Sequence, residues 1–131
     1  MIGLDSNVIL RALIRDDPVQ SAAARRLLAS LSASNPGVLN SVVLVEIAWT
    51  LRRYYKLPAH EVVGRIEDLM RSEAYQVVDR SAVMQALEVS HEHSIEFADA
   101  LIGELNRAVG CTTTMTFDQG AAQTPRFTEL H

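Results

Sequence analysis

Very little in this chain can be cross-linked. A single cysteine, Cys111, stands among 131 residues, so no intrachain disulfide forms and the fold rests on packing. Lysine is nearly missing: Lys56 is the only one, beside eleven arginines. That bias suits phosphate recognition, because arginine is the better fork, and it equally suits a GC-rich coding sequence. Aromatic residues are 5% of the chain, too few for extensive base stacking. No apolar run approaches the roughly 18 residues of a membrane span. The opening MIGLDSNVIL has no basic stretch and meets an aspartate at its fifth residue, unlike a secretory signal. Internal repeats, low-complexity tracts and linkers are absent, as are G-x-x-x-x-G-K and G-x-G-x-x-G, the glycine-rich phosphate cradles. These gaps set aside a fibre, a membrane protein and a disulfide-stapled secreted domain. The expected setting is a reducing cytoplasm.

What is present is ordinary for a globular domain: 48% hydrophobic and 21% charged residues, in a length that suits one core. Ile2–Leu4 reads as a strand running into Asp5-Ser6-Asn7, which is helix-capping chemistry. A helix is expected over Val8–Arg15, and a second from Pro18 at its first position to about Leu31. Val38-Leu39 is a brief strand, and Asn40 or Ser41 caps a helix from Val42 to Tyr55. A helix after Pro58 reaches about Arg71. Tyr75–Val78 is a strand, and Asp79 caps a helix from Arg80 to His91. Ile95–Val109 is a further helix, closed by Gly110 as a left-handed C-terminal residue. Cys111–Met115 reads as a buried strand, followed by a helical turn near Gly120 and an edge strand over Arg126–Leu130. Four or five short strands alternating with helices predict an α/β fold, with one parallel sheet flanked by helices on both faces. In such folds the site lies beyond the carboxyl ends of the strands.

Sixteen acids face twelve bases, a net charge of −4. A general polyanion binder would carry the opposite balance. Most acids lie among polar residues or at helix ends. Four have mainly apolar neighbours: Asp5 in IGLDSNVIL, Glu46 in VVLVEIAWTL, Asp99 in EFADALIGEL and Asp118 in TMTFDQGAA. Each falls near a strand end or early in a helix, so all four are expected at one edge of the sheet. Taken singly, Asp5 could be an N-cap, Asp99 a first-turn carboxylate favoured by the helix dipole and Asp118 a loop residue. Glu46, on a helix apolar nearly all round, is expected to be shielded from water, where a carboxylate must pair, protonate or bind a metal. Clustered carboxylates raise one another's pKa unless a cation is present. An all-oxygen set suits Mg²⁺, or Mn²⁺ in its place, rather than zinc. Without these four acids the remaining charges balance, so the excess would be local to one pocket. His60, His91, His93 and His131 lack companion ligands and are expected at the surface.

In order, D-S-N-V-I-L, N-S-V-V-L-V-E-I-A-W-T-L, E-F-A-D-A-L-I and T-F-D-Q-G-A resemble the PIN-domain ribonucleases, and most closely the VapC toxins of toxin–antitoxin pairs. The resemblance covers the whole chain, residues 1–131, as one PIN domain. It places the family's acids on Asp5, Glu46, Asp99 and Asp118, and its small polar companions on Asn7 and Thr116. Glu96 stands where many relatives have aspartate. The resemblance implies Mg²⁺-dependent cleavage of RNA, a homodimer and inhibition by a VapB-type antitoxin. In the expected chemistry Asp5, Asp99 and Asp118 are metal ligands, direct or through water. Glu46 orients the attacking water or completes the ligand set, and Asn7 and Thr116 orient the ligands. Arg11 and Arg15, four apart and near Asp5, are candidates for phosphate contacts, or else a solvated helix face. Trp49, Tyr54 and Tyr55 are expected in the core or an interface. A phosphoacceptor receiver domain is excluded, because Asp5 stands alone and Lys56 follows no strand. A haloacid-dehalogenase-type phosphatase would need aspartate at Asn7. Two alternatives stay open: a PIN-like domain that binds RNA or protein without cutting, and a PIN nuclease that is not a toxin.

Overall fold

Three short apolar segments, Ile2–Gly3 (β1), Gly37–Leu39 (β2) and Tyr75–Val77 (β3), form a parallel sheet in the order β1-β2-β3. This is seen in a computed structural model, which describes all 131 residues. Ile2 pairs with Gly37, and Gly37 with Tyr75. Gly37 has no room for a side chain: a Cβ there would stand 2.5 Å from Leu4 Cδ1 and 2.9 Å from Leu31 Cδ1. Parallel neighbours need crossovers. Helices α1 (Ser6–Leu13) and α2 (Pro18–Ala29) supply the first, and α3 (Ser41–Arg53) and α4 (Ala59–Arg71) the second. Helices α5 (Arg80–His93) and α6 (Phe97–Ala108) follow as a tightly packed pair.

The expected fifth strand is present, but the sheet divides. Thr114–Thr116 (β4) and Phe127–Glu129 (β5) pair in parallel with each other, across the one-turn helix α7 (Gln119–Ala122), and not with β1–β3. The expected buried strand at Cys111–Met115 therefore needs correction. It starts at Thr114, Met115 is half exposed, and Cys111 is exposed. A two-stranded pair has too little neighbouring sheet to bury a β-branched run.

Caps behave largely as their chemistry dictates. Asp17 Oδ1 accepts from Gln20 N at 3.0 Å, with Pro18 at the first helical position. Asn40 Oδ1 accepts from Val43 N at 3.0 Å and starts α3 directly after β2. Asn40→Ala is expected to cost about 1 kcal/mol, measurable as a shift of the urea midpoint with unchanged slope. Asp79 departs from expectation: it precedes α5 in the left-handed region, at φ 56°, and its side chain makes no capping bond. Gly110, at φ 103°, closes α6 as expected.

Helix α3 is the central helix. It packs on α1, α4 and α6 and buries Val43, Leu44, Ile47, Ala48 and Leu51. Its other face is not buried. Val42, Glu46, Trp49 and Arg53 form an exposed stripe, spaced four, three and four residues apart. Glu46 is thus not shielded from water. The helix is apolar all round in composition, but its neighbours cover only one side. Trp49 and Tyr54 are likewise exposed rather than in the core; Tyr55 packs partly against it. The four histidines are exposed. No helix is long and apolar enough to cross a membrane.

Candidate active site

Asp5 follows β1 and caps α1: its Oδ1 accepts from Ser6 N at 2.7 Å. The buried Ser6 hydroxyl lies 3.4 Å from Asp5 Oδ1 and 3.5 Å from Glu46 Oε2. Both distances are long for a hydrogen bond, so the hydroxyl spans the two carboxylates without neutralising either. Asp118 follows β4 and caps α7, accepting from Ala121 N at 3.0 Å. Thr116 steers it, because Thr116 Oγ1 accepts from Asp118 N at 3.0 Å. Asp99 sits half-buried in the first turn of α6. Its carboxyl is held above the ordinary aspartate range, first by loss of solvent and then by repulsion from Asp118 and Glu96.

Asp5 and Glu46 are joined through the Ser6 hydroxyl, Asp99 lies near enough to Asp118 and Glu96 to feel their charges, and α3 packs against both α1 and α6. No three Asp, Glu, His or Cys side chains stand close enough to hold one ion in common. Asp5 and Asp118 are turned toward their own helix N-termini rather than toward a shared point. In kind and charge the set fits a hard divalent cation. It is all oxygen, and none of the molecule's five ion pairs includes any of the four acids.

The neighbouring charges are committed differently. Glu96 precedes α6, and its Oε1 accepts from Arg52 Nε at 3.1 Å. Arg11 bonds Asp16 at 2.9 Å and Gln20 at 2.8 Å, and Tyr55 Oη donates to Asp16 at 2.8 Å. That network ties α1 to α2 and leaves Arg11 already satisfied. Arg15 is exposed but lies beyond α1, which ends at Leu13, so the two arginines do not share a helix face. Asn7 is exposed at the start of α1, beside a groove against α2.

Two site features escaped the reading of the sequence. One is Ser6, hidden inside the D-S-N triplet. The other is Glu104, the only charged residue that is buried, 3% exposed. Arg126 Nε donates to both of its oxygens, at 2.7 and 3.2 Å. Close by, Gly103 lets β5 approach: a Cβ there would stand 2.7 Å from Phe127 Cε2. Asn106 Nδ2 donates to Thr114 Oγ1 at 3.0 Å. These contacts dock the β4–β5 unit on α6, the helix that carries Asp99. The one cue was the spacing of Glu104, which falls on the apolar face of its helix with Ala100 and Leu101.

The largest cavity, about 430 Å³, lies between α4 and α5, and none of the four acids lines it. A cleft of about 160 Å³ does reach the site. It is walled by Ala48, Trp49, Arg52, Arg53, Phe97 and Asp99.

Short parallel strands that deliver Asp5 and Asp118 to helix starts, with Glu46 and Asp99 on the neighbouring helices α3 and α6, define a small α/β domain with carboxylates at its strand ends. The family model of the PIN domain matches residues 2–126, and the chain belongs to the PIN-domain family. Proteins of this family are in general nucleases that act on RNA, and they typically use divalent metal ions. No curated protein matches the chain.

Proposed function

We propose that this protein is a Mg²⁺-dependent endoribonuclease, and that it serves as the toxin of a type II toxin–antitoxin pair in the cytoplasm. The observation that carries the first part is the set of four uncompensated acids. Arginine partners are found for Asp16, Asp68, Glu96 and Glu104 and for none of Asp5, Glu46, Asp99 and Asp118; what sets these four apart from the other unpaired acids is their neighbours, Ser6 lying between Asp5 and Glu46 and Asp99 feeling the charge of Asp118. Asp99 is moreover disfavoured as an anion where it stands. A fold keeps such repulsion where a cation relieves it.

Asp5, Asp99 and Asp118 would hold the ion, with Glu46 completing the set, once Asp5 and Asp118 turn from their helix N-termini toward it, and Mn²⁺ could replace Mg²⁺. A divalent ion bound there supplies an acidified water and charge stabilisation at the phosphate oxygens. Glu46, in the open, would orient a water for attack on phosphorus. The Ser6 hydroxyl sets the spacing of Asp5 and Glu46. Thr116 fixes the turn that presents Asp118, and Glu96, held by Arg52, adds charge beside Asp99. Asn7, exposed two residues after Asp5, would help orient the ligands. Arg15 is left as the phosphate contact from this end of the chain, because Arg11 is taken up by Asp16. The toxin role, a VapB-type antitoxin and a homodimer rest on the resemblance of the four motifs to VapC proteins.

A second reading, RNA or protein binding without cleavage, is favoured by one observation: the carboxylates do not close round one point. End-labelled total tRNA and rRNA separate the readings. With Mg²⁺ the wild type is expected to give discrete cuts, lost with EDTA and lost in Asp5→Asn. An intact pattern of cuts in Asp5→Asn would sink the assignment. No cuts and no metal binding by the wild type would favour the second reading.

A further inference from the structure

Tryptophan is large and on average highly buried, and this chain has one. Trp49 is 58% exposed on α3, one turn after Glu46 on the same outward stripe. The Arg53 guanidinium lies over its ring, 5.9 Å from the centroid, within the range of a cation–π contact. Arg53 has no acid partner, whereas neighbouring Arg52 is held by Glu96. Both arginines and Trp49 wall one side of the cleft, and Glu96, its charge met by Arg52, and Asp99 lie on the other. A volume of about 160 Å³ is below the roughly 300 Å³ of a pocket that engulfs a small molecule. The cleft seats one group and leaves the rest of its ligand outside.

We infer that Trp49 and Arg53 form a nucleotide subsite beside the carboxylates, with the base of a single-stranded RNA stacking on Trp49 and a flanking phosphate on Arg53. The inference rests on the nuclease reading and deepens it by naming where the strand is gripped. The charge pattern favours RNA as the occupant. The four acids alone would repel a phosphodiester, and an unpaired guanidinium two helical turns from Glu46 supplies local attraction. An indole offers a π-face to any base, so this grip is tolerant of sequence, and selection of a target is left to the fold of the RNA. Single-stranded character follows from the geometry, because a paired base has no free face for the ring.

The sole tryptophan makes the test direct. The full chain carrying Asp5→Asn, with Mg²⁺ present, is titrated with a mixed-sequence octaribonucleotide while indole fluorescence is followed. A fluorescein-labelled copy gives affinity by anisotropy. Saturable quenching is expected at the concentration where anisotropy rises, and none with an abasic backbone of the same length. Trp49→Ala should weaken binding about 10-fold or more, and Trp49→Phe should restore most of it. Arg53→Gln should lower the slope of log affinity against log salt by about 0.7. In the otherwise wild-type enzyme, Trp49→Ala should raise KM with little change in kcat, the pattern of lost uniform binding. RNA binding with silent tryptophan fluorescence overturns the inference. So does unchanged affinity in Trp49→Ala, including the case where its mass in solution falls, which would assign Trp49 to a contact between copies of the chain. Cleavage by the wild type together with either result leaves the nuclease reading standing. Failure of the wild type both to bind and to cut removes both.

Discussion

Asp99→Asn is expected to abolish cleavage and, at neutral pH, to make the protein more stable. The two effects have one cause. Asp99 is half-buried at the start of α6 and faces the charges of Asp118 and Glu96, so its anion is disfavoured in the folded chain. A carboxyl whose folded pKa lies above its unfolded value contributes stability that is fully present below the unfolded pKa, about 3.9. That contribution is lost as pH rises through the folded pKa. Asparagine removes the loss. The variant should therefore melt higher than wild type at pH 7 and equal to it near pH 3. Solvent screening at a half-exposed site keeps the gain to about 2 °C. Added Mg²⁺ should reverse the order, because an ion that binds only the folded wild type stabilises it by mass action. Cleavage should fall on the order of 10³-fold, the scale for losing a group that stabilises transition-state charge. Calorimetry across pH, with and without Mg²⁺, checks the stability half, and labelled RNA the other. A variant less stable than wild type at pH 7 would show that Asp99 makes a structural bond instead.

Arg126→Ala should be among the most damaging single substitutions. Glu104 is nearly inaccessible, and Arg126 is its only ionic partner, reaching both oxygens through Nε. Deleting the guanidinium leaves a buried carboxylate alone, which costs about 3–5 kcal/mol, a drop in melting midpoint of about 10 °C or more. The pair itself is worth far less than that. Taking two charges out of water consumes most of their attraction, so the double variant Glu104→Leu with Arg126→Met should fold close to wild type. A double-mutant cycle isolates the coupling. If Arg126→Ala costs under about 1 kcal/mol, water reaches Glu104 and the pair is ordinary surface chemistry. Activity adds a second readout, because the pair docks the β4–β5 unit, and with it Asp118, on the helix that bears Asp99. The double variant, restored in stability, reports whether apolar packing positions Asp118 as well as the ion pair does.

The candidate site stands out in the sequence as a set of residues and not as a geometry. Asp5, Glu46, Asp99 and Asp118 stood out because each is an acid in apolar company, and the structure leaves all four without a cationic partner. Their juxtaposition depends on which helices pack together, and nothing local carries that. Glu46 shows the difference. Its helix is apolar on every side in composition, so burial was the natural expectation, but α1, α4 and α6 cover one side and leave Glu46 and Trp49 outside. Arg11 shows it again. Beside Asp5 in the chain it reads as a phosphate contact, whereas the turn between α1 and α2 brings Asp16 and Gln20 to it first.

Helix periodicity, caps at Asp5, Asp17 and Asn40, and the glycine stop at Gly110 are local chemistry, settled by neighbours a few residues apart. They were enough for the helices, the α/β alternation and the positions of the acids. Tertiary structure alone decided that five strands divide into three and two, that Glu104 is the buried acid, and that Trp49 stands in water beside Asp99. Each of these depends on residues far apart in the chain competing for the same surface, and burial is a property of that competition rather than of any segment.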